Sequence, residues 1–362
     1  MKLKDDEKAL LSRAEDILEM KCPSITDFRA PQSEGGIHDY FSQGTYWHPD
    51  PTKIDGKPYI QRDGIINRNN FVKHKDMIVD VKRALTILYW AYQDNGDSRY
   101  ICKMEDILYT FFVDPEKYVT PALNYSQAIP GKCSGRGIGL IDFNQLVTVP
   151  LIVRWMKNNN LGSAEVLKGV ENWCSAYSKW LETSEFGHTE SHEKNNHSIA
   201  FYLQYSAFSI FREDWNEVRR EISKVFKERL LNQLDEDGSF PLELKRTRPY
   251  WYSIFTVENL VLLAQVITTE DDNIYEYERE DGRSLKKAIY FITPYMLDKS
   301  SWPMKPDVEK WEYAPLSDVF LVLAGKAYGD DALIELYESL PEVVDMDVEL
   351  ERNVPVFIPE LI

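Results

Sequence analysis

Cysteine is scarce: the 362 residues hold four, at 22, 102, 133 and 174, and no two form a CxxC pair. That spacing argues against a zinc ribbon and leaves structural thiols as the default reading. Uninterrupted apolar runs long enough to span a bilayer are missing. The chain opens with Lys4, Asp5, Asp6, Glu7 and Lys8 before Ala9 to Leu11, an amphipathic pattern without the apolar core of a signal peptide. As written, the chain is expected to be cytoplasmic and not membrane-bound, or periplasmic or secreted if a signal was removed before residue 1. Basic residues are in the minority, 42 Lys plus Arg against 59 Asp plus Glu, for a net charge of −17. Broad attraction to nucleic acid is excluded on that balance. An anionic ligand has to be met by a local basic patch, and Lys245, Arg246 and Arg248 form one.

Hydrophobic residues make up 43% of the chain and aromatics 13%, with 21 Tyr and 9 Trp. This composition is globular, and flat amphipathic rings suit sugar faces as well as cores. Strand signals are weak. Apolar residues recur at three- and four-residue spacing over 4–20, 74–94, 97–112, 142–159, 163–183, 196–212, 214–235, 253–269, 283–297, 316–328 and 330–339. Breaks such as Asn95-Gly96, Asn160-Leu161-Gly162, Asp237-Gly238 and Tyr328-Gly329 separate them. Paired helices with short turns predict an array of antiparallel helix hairpins that closes into a toroid with a cleft at one mouth. With no compositional shift, residues 1–362 are expected to form one domain. A long aromatic loop at about 35–71 is too rich in Tyr40, Phe41, Tyr46, Trp47 and Tyr59 to be disordered and reads as part of a binding surface. An extended tail is expected at about 341–362.

Two stretches carry most of the chemistry. Asn195-Asn196-His197 opens an aromatic helix, with Asn195 or Asn196 as the N-cap. The positive end of the helix is expected to keep His197 neutral and able to act as a general base. Asp237 to Tyr252, DGSFPLELKRTRPYWY, brings two arginines able to grip a carboxylate and tyrosines able to offer a phenol. The stretch also reads as a surface turn with solvated arginines. His188, His192 and His197 have a spacing that could hold zinc, although the segment after Phe186-Gly187 reads as loop and no metal is assigned. Asp142, Asp235, Asp237, Glu243 and Glu258 are the carboxylates from which a glycoside hydrolase pair would have to be drawn.

Taken together, YFSQGTYWHPDP, DGKPYIQRDGIINR, SGRGIGLIDF, NNHS and DGSFPLELKRTRPYWY, in that order from about Tyr40 to Tyr252, resemble the motifs of the alginate lyase type of polysaccharide lyases. The resemblance implies an all-α fold, an incomplete (α/α) toroid, and cleavage of a uronic-acid polysaccharide by β-elimination without a metal or other cofactor. Alginate is the first expectation for substrate, with glucuronan or another polyuronate as alternatives. It places the catalytic residues at Asn196, His197, Arg246 and Tyr252, with Arg246 as carboxylate clamp and Tyr252 as proton carrier. Tyr46, Trp47, His48, Arg62, Arg136, Asn195, Arg248 and Tyr250 are expected to bind substrate. Trp251 stands where some members carry a histidine before the tyrosine. For Tyr252 to act as a base near neutral pH, basic neighbours would have to lower its pKa from about 10. The negative body predicts a positive cleft. Rival readings are an (α/α)-toroid hydrolase and a non-catalytic polyuronate-binding protein.

Overall fold

A computed structural model describes residues 7–341, and every structural statement here concerns those residues. The tail expected after residue 341 lies outside them. Thirteen α-helices are described: α1 (Glu7–Glu19), α2 (Lys73–Asn95), α3 (Ser98–Phe112), α4 (Thr148–Asn158), α5 (Ala164–Thr183), α6 (Glu185–Ser191), α7 (Asn196–Ser209), α8 (Trp215–Val225), α9 (Pro241–Leu244), α10 (Pro249–Ile267), α11 (Leu285–Leu297), α12 (Val319–Tyr328) and α13 (Asp331–Ser339). Gly96 and Gly329 end α2 and α12 in the left-handed conformation, which is why Asn95-Gly96 and Tyr328-Gly329 read as stops.

Five successive pairs pack as hairpins: α2 with α3, α4 with α5, α7 with α8, α10 with α11, and α12 with α13. The first members touch in chain order, α2 to α4 to α7 to α10 to α12, and form an inner layer. Their partners lie outside. This is the (α/α) toroid. The inner position explains why α7 and α10 are buried on every side, a pattern that only a helix inside the core can hold. The stretches Gly137–Asn158 and Pro249–Ile267 are long and apolar enough to cross a membrane by length and composition, and 78% and 89% of their most apolar windows are buried inside the protein. One apolar cluster runs from Leu10 to Tyr337.

Two sequence expectations change. The segment after Phe186-Gly187 is helical, as α6, with the Ser184 side chain accepting from Gly187 N at 3.0 Å as its cap. Gly187 looked like a helix breaker, but it is there because a Cβ would meet Leu181 O at 1.8 Å. The expected helix over 142–159 is a 3-10 segment, Gly137–Leu146, followed by α4.

The aromatic loop is folded. β1 (Phe41–Gln43) pairs in parallel with β4 (Tyr125–Ala128), and β2 (Trp47–His48) pairs antiparallel with β3 (Ile60–Gln61). The Asn67 side chain donates to Trp47 O at 2.8 Å, and Asn70 donates to Gly44 O at 3.0 Å. These bonds brace the loop internally, and it is tied to the helical body by Phe41 N donating to His74 Nδ1 of α2 at 3.0 Å and by Arg246 donating to Asp63 at 2.7 Å.

Candidate active site

A cavity of about 430 Å³ lies between the aromatic loop and the inner helices. Asn196, His197, Arg246 and Tyr252 all line it, and so do Tyr46, Trp47, Arg136 and Arg248. Its wall holds six cationic side chains, Arg68, Lys75, Arg136, Arg246, Arg248 and Lys310, and one carboxylate, Asp142. A cation-rich cleft on a chain of net charge −17 is the arrangement expected for a polyanionic ligand.

Each central side chain is held by a protein partner, near in sequence for His197 and distant for Asn196 and Arg246. Asn195 caps α7 by accepting from His197 N at 3.0 Å. Asn196 N and Asn196 Nδ2 both donate to Glu243 Oε1 at 2.8 Å. Because a carboxylate only accepts, this contact fixes which end of the amide is Nδ2 and turns Oδ1 away, where no protein partner meets it. His197 Nδ1 sits 2.6 Å from Glu190 Oε1, and Glu190 is 1% exposed. Nδ1–H therefore donates to Glu190 in the neutral ring, which leaves Nε2 with its lone pair. The expectation of a proton-poor imidazole is reversed. Burial alone would lower the His197 pKa, but the charge and hydrogen bond of Glu190, joined by Glu243, outweigh burial and raise it.

Arg246 is committed inside the protein to a greater degree than a free clamp would be. Its Nε and Nη2 donate to the two oxygens of Asp63 at 3.2 and 2.7 Å, and Nη2 also donates to the Tyr252 hydroxyl at 3.1 Å. The guanidinium lies 4.2 Å from the Tyr252 ring centroid. Arg246 thus ties the aromatic loop, through Asp63, to Tyr252. The Tyr252 hydroxyl is also 2.8 Å from that of Tyr46, which accepts from Arg248 Nη1 at 3.4 Å. Burial pushes the Tyr252 pKa well above 10, with Tyr46 adding to the rise, while Arg246 and Arg248 pull down without cancelling it. The requirement that basic neighbours lower this pKa is not met in the free protein, where the phenol stays protonated.

The remaining substrate candidates separate by position. Trp47 lines the cleft, but Lys132 Nζ sits 4.2 Å from its ring centroid and shields it there. Arg136 donates to Gln127 O and Oε1 at 3.1 and 2.9 Å. His48 is used by Ile65 O at 3.0 Å, and Arg62 is exposed; neither lines the cleft. Arg248 is fully buried, with its guanidinium 4.6 Å from the Trp251 ring centroid. Tyr250 is corrected from substrate binder to core residue: its hydroxyl donates to Tyr295 O at 2.9 Å and its ring packs on Trp302 and Trp311. Tyr250→Phe is expected to keep turnover and to cost about 1 kcal/mol of stability, the worth of one ordinary hydrogen bond, measured by denaturant unfolding.

The carboxylate pair needed for hydrolysis is not assembled. Asp142 accepts from Tyr40 and Gln127 at 3.0 and 3.3 Å and pairs with Lys75 at 3.2 Å. Glu243 is spent on Asn196, Glu258 is buried within α10, and Asp235 and Asp237 are exposed in a turn. His188 and His192 stand together on the surface with ring centroids 4.8 Å apart, while His197 turns to Glu190. No group of three or more metal-ligating side chains occurs among the described residues. Sequence reasoning missed Asp63, Arg68, Lys75 and Lys310; it named Glu243 only as a hydrolase carboxylate and Glu190 only beside the histidines, not as the partners of Asn196 and His197.

The profile of the alginate lyase family matches residues 24–302. The chain belongs to the alginate lyase family. An alginate lyase from Bacteroides ovatus is similar at 31% identity, covering 93% of this chain and 90% of that one, with a TM-score of 0.84. An alginate lyase from a Sphingomonas species shares the fold at 16% identity, 91% and 89% coverage and a TM-score of 0.57. A histidine-to-alanine variant of the Sphingomonas lyase, complexed with a tetrasaccharide, matches at 15% identity, 98% and 95% coverage and a TM-score of 0.61. Comparison with curated protein sequences returned no match. The chain is therefore a polysaccharide lyase.

Glu190 offers a direct check on His197. If His197 must be neutral to accept a proton, the acid limb of kcat/KM lies above the ordinary histidine value of 6.5 because Glu190 raises the pKa. Glu190→Gln removes that charge, so the limb is expected to move to lower pH, read from a pH–rate profile. An unmoved limb would separate Glu190 from the reacting group.

Proposed function

We propose that this lyase cleaves alginate, or a closely related polyuronate, by β-elimination without a metal ion and releases 4,5-unsaturated oligosaccharides. The single observation that carries this reading is the cation-rich cleft with Asn196, His197, Arg246 and Tyr252 on its wall. A uronate resists loss of its C5 proton because removal builds an enolate-like dianion beside the carboxylate. The second Nδ2 hydrogen of Asn196, its amide oriented by Glu243, and the surrounding cations stabilise that charge where it develops. The C5–H electron pair then becomes the C4=C5 double bond, the C4–O4 bond breaks, and O4 leaves after taking a proton.

Tyr252, protonated in the free enzyme, supplies that proton. His197, made more basic by Glu190, takes the C5 proton when C5–H and O4 lie on opposite faces of the ring. When they share a face, Tyr252 performs both transfers only after its phenol has first released its own proton to solvent on substrate binding. The phenolate, held beside Arg246 and Arg248, then takes the C5 proton and returns it to O4. Arg246 acts chiefly by fixing Tyr252 against Asp63 and adds positive charge to the wall.

The test is ultraviolet absorbance of the unsaturated product on mannuronate-rich, guluronate-rich and glucuronate polymers, with and without chelator. Absorbance that appears on alginate, survives chelator and falls as salt screens the cleft is the expected result. New reducing ends without absorbance would indicate hydrolysis, and binding without either product would indicate a carbohydrate-binding protein.

A further inference from the structure

Residues 307 to 310 lie beyond the stretch matched by the family profile, yet the last of them, Lys310, lines the cleft. Their placement starts from a local deficit. Helix α10 begins at Pro249 with Arg248 at its N-cap, and that side chain caps nothing. The first N–H groups of α10 are satisfied instead by Asp307, whose two carboxylate oxygens accept from Tyr250 N at 3.0 Å and Trp251 N at 2.9 Å. Val308 N donates to Thr247 O at 3.1 Å, and Glu309 Oε2 accepts from Ile66 N at 3.3 Å. Three consecutive residues thereby fasten the two segments that build the site, the turn before Tyr252 and the aromatic loop.

Lys310 follows directly. Its backbone sits at φ 60 and ψ 21, a left-handed conformation that a residue with a Cβ seldom adopts. The residue is 6% exposed, and its side chain lines the cleft. Backbone strain of this kind persists only where neighbours over-determine it, and it gathers at ligand sites.

We propose that Lys310 is a substrate-binding residue whose ammonium takes a carboxylate of a uronate unit in the cleft, and that residues 307–309 are the clasp that presents it. The assignment rests on the polyuronate reading and adds a recognition element from outside the residues matched by the family profile.

Lys310→Asn and Lys310→Gly remove the charge while leaving a left-handed backbone accessible. Lys310→Arg keeps the charge. Binding of mannuronate and guluronate oligosaccharides, followed by calorimetry in a Tyr252→Phe background to prevent turnover, is expected to weaken roughly ten- to a hundredfold for Asn and Gly, the range for a lost bond to a charged group. KM of the otherwise wild-type enzyme should rise in parallel with kcat retained, Arg should restore most of the affinity, and added salt should shrink the difference. Unchanged binding in Lys310→Asn, or a loss of kcat at constant affinity, overturns the assignment. So does equal damage in the Asn, Gly and Arg variants accompanied by a lower Tm, which would mark a structural role. If the wild type lyses polyuronates and the Asn variant binds them equally well, only the Lys310 assignment fails. If the wild type neither binds nor lyses any polyuronate, the function itself fails and Lys310 falls with it.

Discussion

Tyr252→Phe is expected to lower kcat by about 10²- to 10⁴-fold, the contribution of a positioned proton donor or acceptor. The substitution removes one oxygen from a hydroxyl held between Arg246 at 3.1 Å and Tyr46 at 2.8 Å, and leaves the ring stacked under the Arg246 guanidinium. Of the residues of α10, only Tyr252 and Gln265 are not fully buried, so the core that holds the helix is untouched. Binding of substrate should persist, since the cations of the cleft remain. Steady-state absorbance kinetics with a thermal melt decide the matter: a Phe variant at wild-type rate would remove Tyr252 from the chemistry. Because burial and Tyr46 hold the phenol protonated in the free enzyme, its first competence is as an acid.

His197 carries the second large effect. His197→Ala is expected to cut kcat/KM by about 10²- to 10⁴-fold on a substrate whose C5–H and O4 lie on opposite ring faces. The alanine variant also strips Glu190 of its partner while the other carboxylate oxygen, Oε2, already has none, so a stability loss of about 1–3 kcal/mol accompanies it. His197→Asn separates the two effects, because its Nδ2 stands where Nδ1 did and can still donate to Glu190 but cannot accept a proton at neutral pH. The expected result is an Asn variant with near-native Tm and the activity of the alanine variant. An Asn variant with full activity would show that the imidazole is not the base. The sign of the linkage is also testable. A raised pKa means the folded protein holds this proton more tightly than the unfolded chain, so the pair contributes stability that is complete below 6.5 and lost as pH rises through the higher folded value.

Much of the site was legible because its chemistry is written in short stretches. NNHS places a cap, an amide and an imidazole together at a helix start, and Pro249 followed by an apolar run marks the start of α10. The supporting shell was not legible. Glu243 meets Asn196 from 47 residues away, and Asp63 meets Arg246 from 183. Among 59 acidic residues, no local pattern distinguishes these from solvated ones. His197 shows how this matters. Its position in the first turn of α7 argues for a lowered pKa, yet Glu190, seven residues earlier in a helix disguised by Gly187, reverses the direction. The Arg246 fork read as a clamp because its partner lies in another segment.

By itself the sequence determined the helical periods, the hairpin order, the aromatic loop and the residue types available for elimination, because these follow from spacing within one or two turns of chain. Only the tertiary structure decided which of the alternatives lines the cleft. Tyr250 and Tyr252 are two residues apart, and at 3.6 residues per turn they point roughly 200° away from each other. One therefore had to enter the core and the other the cleft. The packing of Trp302 and Trp311 on Tyr250, and of Arg246 and Tyr46 on Tyr252, made the choice.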